Sequence, residues 1–234
     1  MSEAFEPHDS NHNSRLNSLR AAVLGANDGI VSVAALILGV IGSGVDNKTI
    51  FTAGVASTIA GAVSMSLGEY VSVSAQRDSE KMLIEKESME LREFPEHEHQ
   101  ELAEMLTSYG ISEATADKAA TEIESEDPLS AHLRLELGID GEDLTNPWHA
   151  AFWSAVAFLA GAALPLLSIF LAPDSMKAAV VFGTTILALI ITGYTSARLA
   201  ETNRVKSVIR LVIGGALGLA VTYGIGMLFG GVVG

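Results

Sequence analysis

Five segments of the chain are apolar and long enough to cross a lipid bilayer as helices, which takes about 20 residues. Three of them contain no charged residue, whereas the first contains only Asp28 and the second only Glu69. A soluble core does not need five such runs, so the pattern predicts five transmembrane helices. The segments are 21–45, 49–76, 148–173, 178–197 and 211–234.

Between the second and third segments, short runs of Glu, Lys, Met and Leu alternate with proline and glycine. Residues of these two types mark helix boundaries, and no strand pattern is present. The chain is therefore predicted to be an all-α polytopic membrane protein with a helical domain inserted between transmembrane helices two and three. The predicted insert helices are 78–93, 96–108, 112–124 and 129–137. The predicted parts are a mobile N-terminal tail (1–14), transmembrane helices 1–2 (15–78), the insert (79–143) and transmembrane helices 3–5 (144–234).

Charge is concentrated in the insert. The 234 residues carry a net charge of -14, and residues 79–143 hold 19 acidic against 5 basic side chains, so the rest of the chain is neutral. Such an acidic domain attracts cations and is not expected to bind nucleic acid. Because the chain has no cysteine, a metal ion would be held by carboxylate, imidazole, thioether or amide groups, which suit Fe²⁺, Mn²⁺, Mg²⁺ or Ca²⁺.

Basic residues predict the orientation, because cytosolic flanks of membrane helices are enriched in Lys and Arg. If the five helices alternate in direction, only Lys48 and Lys177 lie on one side. The other side, which also carries the insert, is then cytosolic and holds Arg15, Arg20, Arg77, Arg198, Arg204, Lys206 and Arg210.

Asp28 and Glu69 are candidate functional residues because a charge within the bilayer is costly. Each lies eight residues inward from an arginine, Arg20 or Arg77, and therefore about 12 Å below the cytosolic surface. Two carboxylates at one depth on consecutive helices suggest a cation site. The alternative is that each is a polar group that bonds a neighbouring helix.

A polar stripe continues from Glu69 along the second helix. Its members are three or four residues apart and share one helical face. If this helix runs unbroken into the cytosol, the stripe indicates an ion path. The stripe consists of Met65, Glu69, Ser72, Gln76, Glu80, Leu83, Glu87 and Glu90.

The insert contains two carboxylate pairs with a spacing of three, Glu87 with Glu90 and Glu98 with Glu101. Helices folded back on each other would bring both pairs together around a divalent ion, whereas the alternative is a solvated acidic face. Clustered carboxylates raise each other's pKa unless a cation neutralises them. Whether the neighbouring histidines His97 and His99 also bind metal stays open.

Three motifs together resemble the vacuolar iron transporter family, and the similarity covers the chain after residue 14. Members of that family have five transmembrane helices, form dimers and export cytosolic Fe²⁺, often with Mn²⁺, in exchange for protons. The resemblance implies that Asp28 and Met65 line the path, and that Glu136 binds metal together with Glu87, Glu90, Glu98 and Glu101. The motifs are Gly25-Ala26-Asn27-Asp28-Gly29, Ser64-Met65-Ser66-Leu67-Gly68-Glu69-Tyr70 and Glu136-Leu137-Gly138.

One departure concerns the residues before Glu136. Family members can carry methionines where this chain has His132 and Leu133, so the soft ligand is missing, and whether His132 binds metal stays open. A short, bacterial-type member is expected in the inner membrane of the cell rather than in a vacuole. Fe²⁺ and Mn²⁺ are expected as transported and bound ions, with no prosthetic group and no enzymatic activity.

A different interpretation is a membrane-anchored di-iron oxidase or iron store of the ferritin type. Glu96 and His99 have the Glu-x-x-His spacing of such sites. Those sites need two such motifs on long helices, whereas the insert offers one motif on short helices. The transporter interpretation is therefore preferred.

Overall fold

A computed structural model describes residues 11–141 and 144–233, and the regular elements within these ranges are all helical. The chain divides into two compact units, a membrane unit (Met1–Val71 and Pro147–Gly234) and a helical unit (Ser72–Asn146). A 3₁₀ turn at Asp174–Met176 precedes the seventh α-helix. The α-helices are α1 (Asn11–Gly42), α2 (Asn47–Glu93), α3 (Pro95–Ser108), α4 (Glu113–Glu124), α5 (Pro128–Leu135), α6 (Pro147–Leu171), α7 (Lys177–Leu199) and α8 (Arg204–Val233).

The prediction of five membrane-spanning helices is confirmed, since α1, α2, α6, α7 and α8 are each long and apolar enough to cross a bilayer. Helix α2 has 47 residues without interruption, a length of about 70 Å. That is more than twice the hydrocarbon thickness of about 30 Å, so only part of α2 can lie within lipid. Residues 1–10 of the predicted tail lie outside the described residues, and α1 begins at Asn11.

Helix α1 is the central element of the membrane unit and packs against α6, α7 and α8. Its inward face carries apolar side chains at helical spacing, including Val33, Ile37 and Leu38, which are at most 1% exposed. Phe158 of α6 and Leu219 of α8 complete the same core. The periodicity of α1 therefore buries one stripe within protein.

Small residues let α1 approach its neighbours at backbone distance. A Cβ atom on Gly29 would lie 2.1 Å from the carbonyl oxygen of Phe158, and one on Gly161 would lie 2.2 Å from that of Ala26. Neither position has room for a side chain. Close contact through small residues is a common way to pack helices in lipid, where no hydrophobic effect drives them together.

A buried lysine links the start of α2 to the start of α7. The Lys177 ammonium group donates hydrogen bonds to Asn47 and, at 2.6 Å, to Asp174. The Asn47 amide in turn donates to Asp174 at 3.0 Å. Lys177 is thus neutralised by Asp174, which allows its burial within this end of the membrane unit.

In the helical unit, proline and glycine set the helix ends. Pro95 occupies the first turn of α3, where its missing N–H costs nothing. Asp127 caps α5 by accepting a hydrogen bond from the backbone N–H of Ser130 at 3.1 Å. Gly138 follows α5 with φ of 65°, a conformation that glycine adopts readily. The apolar core of this unit contains Leu102, Ala116, Ala120 and Leu133.

We predict that Gly29→Ala destabilises the protein, because the new methyl group meets backbone atoms that cannot rotate away. Overpacking of this kind costs about 1–3 kcal/mol. Gly183→Ala is the matched control, since a Cβ at Gly183 meets no atom within 4 Å. Thermal unfolding in detergent should give a lower Tm for the first variant only. Equal Tm values would show that α1 and α6 are not packed at backbone distance.

Candidate metal centre

Four side chains from three helices converge inside the helical unit. We call Glu87 of α2, Glu98 of α3, His132 of α5 and Glu136 at the C-terminal end of α5 the buried cluster. One potential ligand atom from each lies within 4.8 Å of the others. Metal–oxygen and metal–nitrogen bonds of about 2.0–2.5 Å place opposite ligands roughly 4–5 Å apart. The separations therefore suit one shared ion.

Local sequence places each member of the cluster. His132 and Glu136 are one helical turn apart and so share a face. Glu98 lies in the first turn of α3, where the helix dipole favours a negative charge. A single residue, Phe94, separates the end of α2 from Pro95 at the start of α3, so Glu87 and Glu98 lie on either side of this break between helices. As a result, Glu87 and Glu136, which are 49 positions apart in sequence, are neighbours in the structure.

The imidazole lies at the centre of the cluster. His132 Nδ1 is 3.2 Å from Glu87 Oε1, 3.5 Å from Glu136 Oε2 and 3.9 Å from Glu98 Oε2. The His132 side chain is 0% exposed, Glu87 and Glu98 are 5% exposed, and Glu136 is 29% exposed. The site is thus closed on three sides and open to solvent near Glu136.

Burial and mutual repulsion both act on the carboxylates. The pKa of Glu98 is raised, first by its burial and then by the negative charges of Glu101, Glu90 and Glu136, with His132 acting in the opposite direction. The ionised carboxylate is therefore disfavoured in the folded protein without metal. A bound divalent cation would reverse this effect by supplying a nearby positive charge.

A chain of polar contacts extends from the Nε2 side of the His132 ring. His132 Nε2 lies 3.4 Å from Glu124 Oε1, and the other oxygen of Glu124 lies 2.7 Å from His99 Nδ1. His99 Nε2 is 3.2 Å from Asp117. These hydrogen bonds, first to Glu124 and then to Asp117, raise the pKa of His99. Both ring nitrogens of His99 therefore contact carboxylates of α4, and they do not face the buried cluster.

A more exposed group adjoins the buried cluster. His97 Nδ1 lies 3.8 Å from Glu98 and 3.7 Å from Glu101, and these three residues form a second possible ligand set. Glu90 instead pairs with Lys86 at 2.9 Å, and within the described residues it belongs to neither set. Of the five predicted ligands, Glu87, Glu98 and Glu136 lie together, and Glu101 lies in the adjoining group.

The predicted path residues of the membrane unit occupy different environments. Asp28 is exposed on α1, while the adjacent Gly25 and Gly29 face α6. Glu69 is partly buried. Met65 packs against the apolar core. A purely structural role in helix packing would place it there as well. In the helical unit, Ser72 is exposed and Gln76 donates a hydrogen bond to Glu80 at 2.8 Å.

Sequence reasoning left two members of this centre unassigned. The role of His132 stayed open, and Glu124 was not among the predicted ligands. The spacing of four between His132 and Glu136 was a usable signal, because it places both side chains on one face of a helix. Nothing in the sequence signalled Glu124, since its partners come from α3 and α5.

Comparison with known proteins gives a consistent family match. The profile of the VIT family matches residues 19–227. The chain is 37% identical to the vacuolar iron transporter of Acanthamoeba castellanii, over 90% of this chain and 78% of that protein. It is 36% identical to vacuolar iron transporter homolog 2.1 of Arabidopsis thaliana, over 96% of this chain and 87% of that protein. It is 37% identical to vacuolar iron transporter homolog 1 of Oryza sativa subsp. japonica, over 94% of this chain and 77% of that protein.

We predict that Glu98→Gln stabilises the helical unit when no metal is present. A raised carboxyl pKa means that the folded state loses stability as pH rises through the titration range, so a neutral amide relieves that cost at pH 7.5. Hydrogen exchange of the α3 amides in the full-length protein with a chelator should be slower in the variant. Added Mn²⁺ should slow exchange in the wild type but not in the variant.

Glu104→Gln on the same helix is the matched control, because Glu104 is exposed. Its exchange should equal that of the wild type with and without Mn²⁺. If Glu98→Gln and Glu104→Gln behave alike, the buried carboxylate carries no electrostatic cost and the cluster does not respond to metal.

Proposed function

This chain belongs to the VIT family, and from that premise we propose that it exports Fe²⁺, and also Mn²⁺, from the cytosol in exchange for protons. Membership makes it a membrane-embedded transporter of metal ions and not an enzyme. The names of its relatives refer to iron, which supports Fe²⁺ as a substrate. The remaining details rest on the geometry of the two units.

The buried cluster is the observation that carries the proposal. Glu87 and Glu98 are nearly inaccessible to solvent, and His132 Nδ1 lies 3.2 Å from Glu87 and 3.9 Å from Glu98. Buried carboxylates without a full counter-charge are costly. A divalent ion would neutralise the cluster and satisfy its oxygen atoms. We propose that Glu87, Glu98 and Glu136 capture the ion on the cytosolic side, with Glu101 and Glu90 at the more exposed edge.

We further propose that Asp28, Met65 and Glu69 line the passage through the membrane, with Ser72 and Gln76 further along α2. A carboxylate facing lipid at the centre of a bilayer costs about 2.5–3.5 kcal/mol or more. Asp28 is exposed in the single chain, so a protein or aqueous surface must cover it. A second copy of the chain would supply that surface, which supports a homodimer.

Proton exchange follows from the chemistry of the carboxylates. A carboxylate binds either a proton or a metal ion, so protonation from the far side would weaken metal binding and release the ion. Asp28 and Glu69 are the two carboxylates within the five apolar segments, and they are the proposed exchange groups. Positive flanking residues support a cytosolic N-terminus and helical unit, and we place the protein in the inner membrane.

The ferritin-type alternative has less support. Glu96 is exposed, and His99 is held by Glu124 and Asp117 rather than facing Glu96 across a site. The helices α3, α4 and α5 have 14, 12 and 8 residues. A di-iron site of that type needs ligands from four long helices.

We predict that Asp28→Asn abolishes transport while metal binding by the helical unit persists, because the amide is neutral and cannot exchange a proton for an ion. The measurement is Fe²⁺ uptake into proteoliposomes, paired with Mn²⁺ binding to the same protein in detergent. Asp78→Asn is the control, since Asp78 is exposed and lies outside the proposed path. Near-wild-type uptake by the Asp28→Asn protein would remove Asp28 from the path.

A further inference from the structure

His132 is the buried imidazole of the cluster. Its side chain is 0% exposed, and burying a polar group costs free energy unless the group is hydrogen-bonded or otherwise satisfied. The ring sits on α5 with Nδ1 facing Glu87, Glu98 and Glu136. Two explanations compete for this position, an internal cation that neutralises the carboxylates and a neutral ligand that shares a metal ion with them.

Unpartnered atoms favour the ligand explanation. Among the described residues, His132 Nδ1 and Glu87 Oε1 are both buried and neither has a hydrogen-bond partner. The two atoms are 3.2 Å apart, yet the geometry between them is not that of a hydrogen bond. An imidazolium acting as a counter-ion would donate its N–H to this carboxylate. A nitrogen lone pair and a carboxylate oxygen that face one shared space are instead suited to a cation.

The opposite ring nitrogen fixes the orientation of the imidazole. Glu124 Oε1 lies 3.4 Å from His132 Nε2 and can accept the proton on that nitrogen, which leaves Nδ1 with a free lone pair. Glu124 is itself held by His99 at 2.7 Å. Metal-binding histidines commonly donate their second N–H to a carboxylate in this way, which sets the tautomer and strengthens the ligand.

We propose that His132 Nδ1 is a direct ligand to the ion bound by Glu87, Glu98 and Glu136, and that Glu124 is its positioning residue. This inference rests on the proposed function, since it adds a nitrogen donor to the same site. The chemical class of ion follows from the donor set. Three carboxylates alone suit Mg²⁺ and Ca²⁺ as well as Mn²⁺, whereas an imidazole nitrogen favours transition-metal ions such as Fe²⁺ and Mn²⁺ over those two.

The direct test is electron spin echo envelope modulation of Mn²⁺ bound to the full-length protein. Substoichiometric Mn²⁺ is added in detergent to protein made with natural histidine and to protein made with ¹⁵N-histidine. We expect modulation from one directly bound ¹⁴N nucleus, replaced by the ¹⁵N pattern in the labelled protein. This measurement needs no variant and therefore does not depend on the folding of one.

Two variants assign the nitrogen. In His132→Gln the modulation should disappear, and Mn²⁺ affinity should fall about 10–100-fold. His97→Gln is the matched control, because His97 belongs to the adjoining exposed group, and it should keep the modulation. Glu124→Gln should keep the modulation while Mn²⁺ affinity falls about tenfold, the usual effect of losing a supporting carboxylate.

The outcomes separate this inference from the proposed function. Mn²⁺ bound with oxygen ligands only, or a nitrogen signal that survives in His132→Gln and disappears in His97→Gln, would overturn the role of His132 and leave the carboxylate site intact. Full-length protein that binds no Mn²⁺ would overturn both. Loss of the ¹⁴N signal in His132→Gln, with the signal kept in His97→Gln, would establish His132 as the nitrogen ligand.

Discussion

Repulsion among Glu87, Glu98 and Glu136 is the constraint on which the helical unit depends. The three carboxylates surround His132 Nδ1 at 3.2–3.9 Å, and two of them are almost inaccessible to water. Ionising them without a cation works against folding: the pKa of Glu98 is raised first by its burial and then by the negative charges of Glu101, Glu90 and Glu136. The apolar contacts and helix caps around them hold the cluster together. A divalent ion bound there would remove the repulsion, and under the proposed function metal binding would therefore stabilise this unit.

The membrane unit is held together differently, because no hydrophobic driving force brings helices together in lipid. Glycine positions on α1 and α6 allow backbone contact, and Val33 and Ile37 bury the central stripe of α1. This arrangement gives one face of α1 to packing and leaves Asp28 off that face. Asp28 is exposed, and under the proposed function its carboxylate would be available to an ion crossing the membrane.

Much of the fold could be predicted because it depends on local signals. Apolar length gave the five spans, and Pro95, Pro128 and Gly138 marked the ends of the insert helices. Glu87 and Glu98 were predicted to meet, and they do so in the helical unit. The role of His132 stayed open because its burial depends on the packing of three helices. Glu124 was not predicted as part of the site because its contacts with His99 of α3 and His132 of α5 depend on how three helices pack.

Fe²⁺ uptake into proteoliposomes with and without an imposed pH gradient tests the central claim most directly. With an acidic lumen, we expect Fe²⁺ to enter several times faster than at equal pH, and the lumen to become more alkaline as it enters. Empty liposomes should show neither effect. Fe²⁺ uptake at a rate independent of the gradient, without a change in lumenal pH, would contradict proton exchange. The absence of any uptake would contradict transport itself.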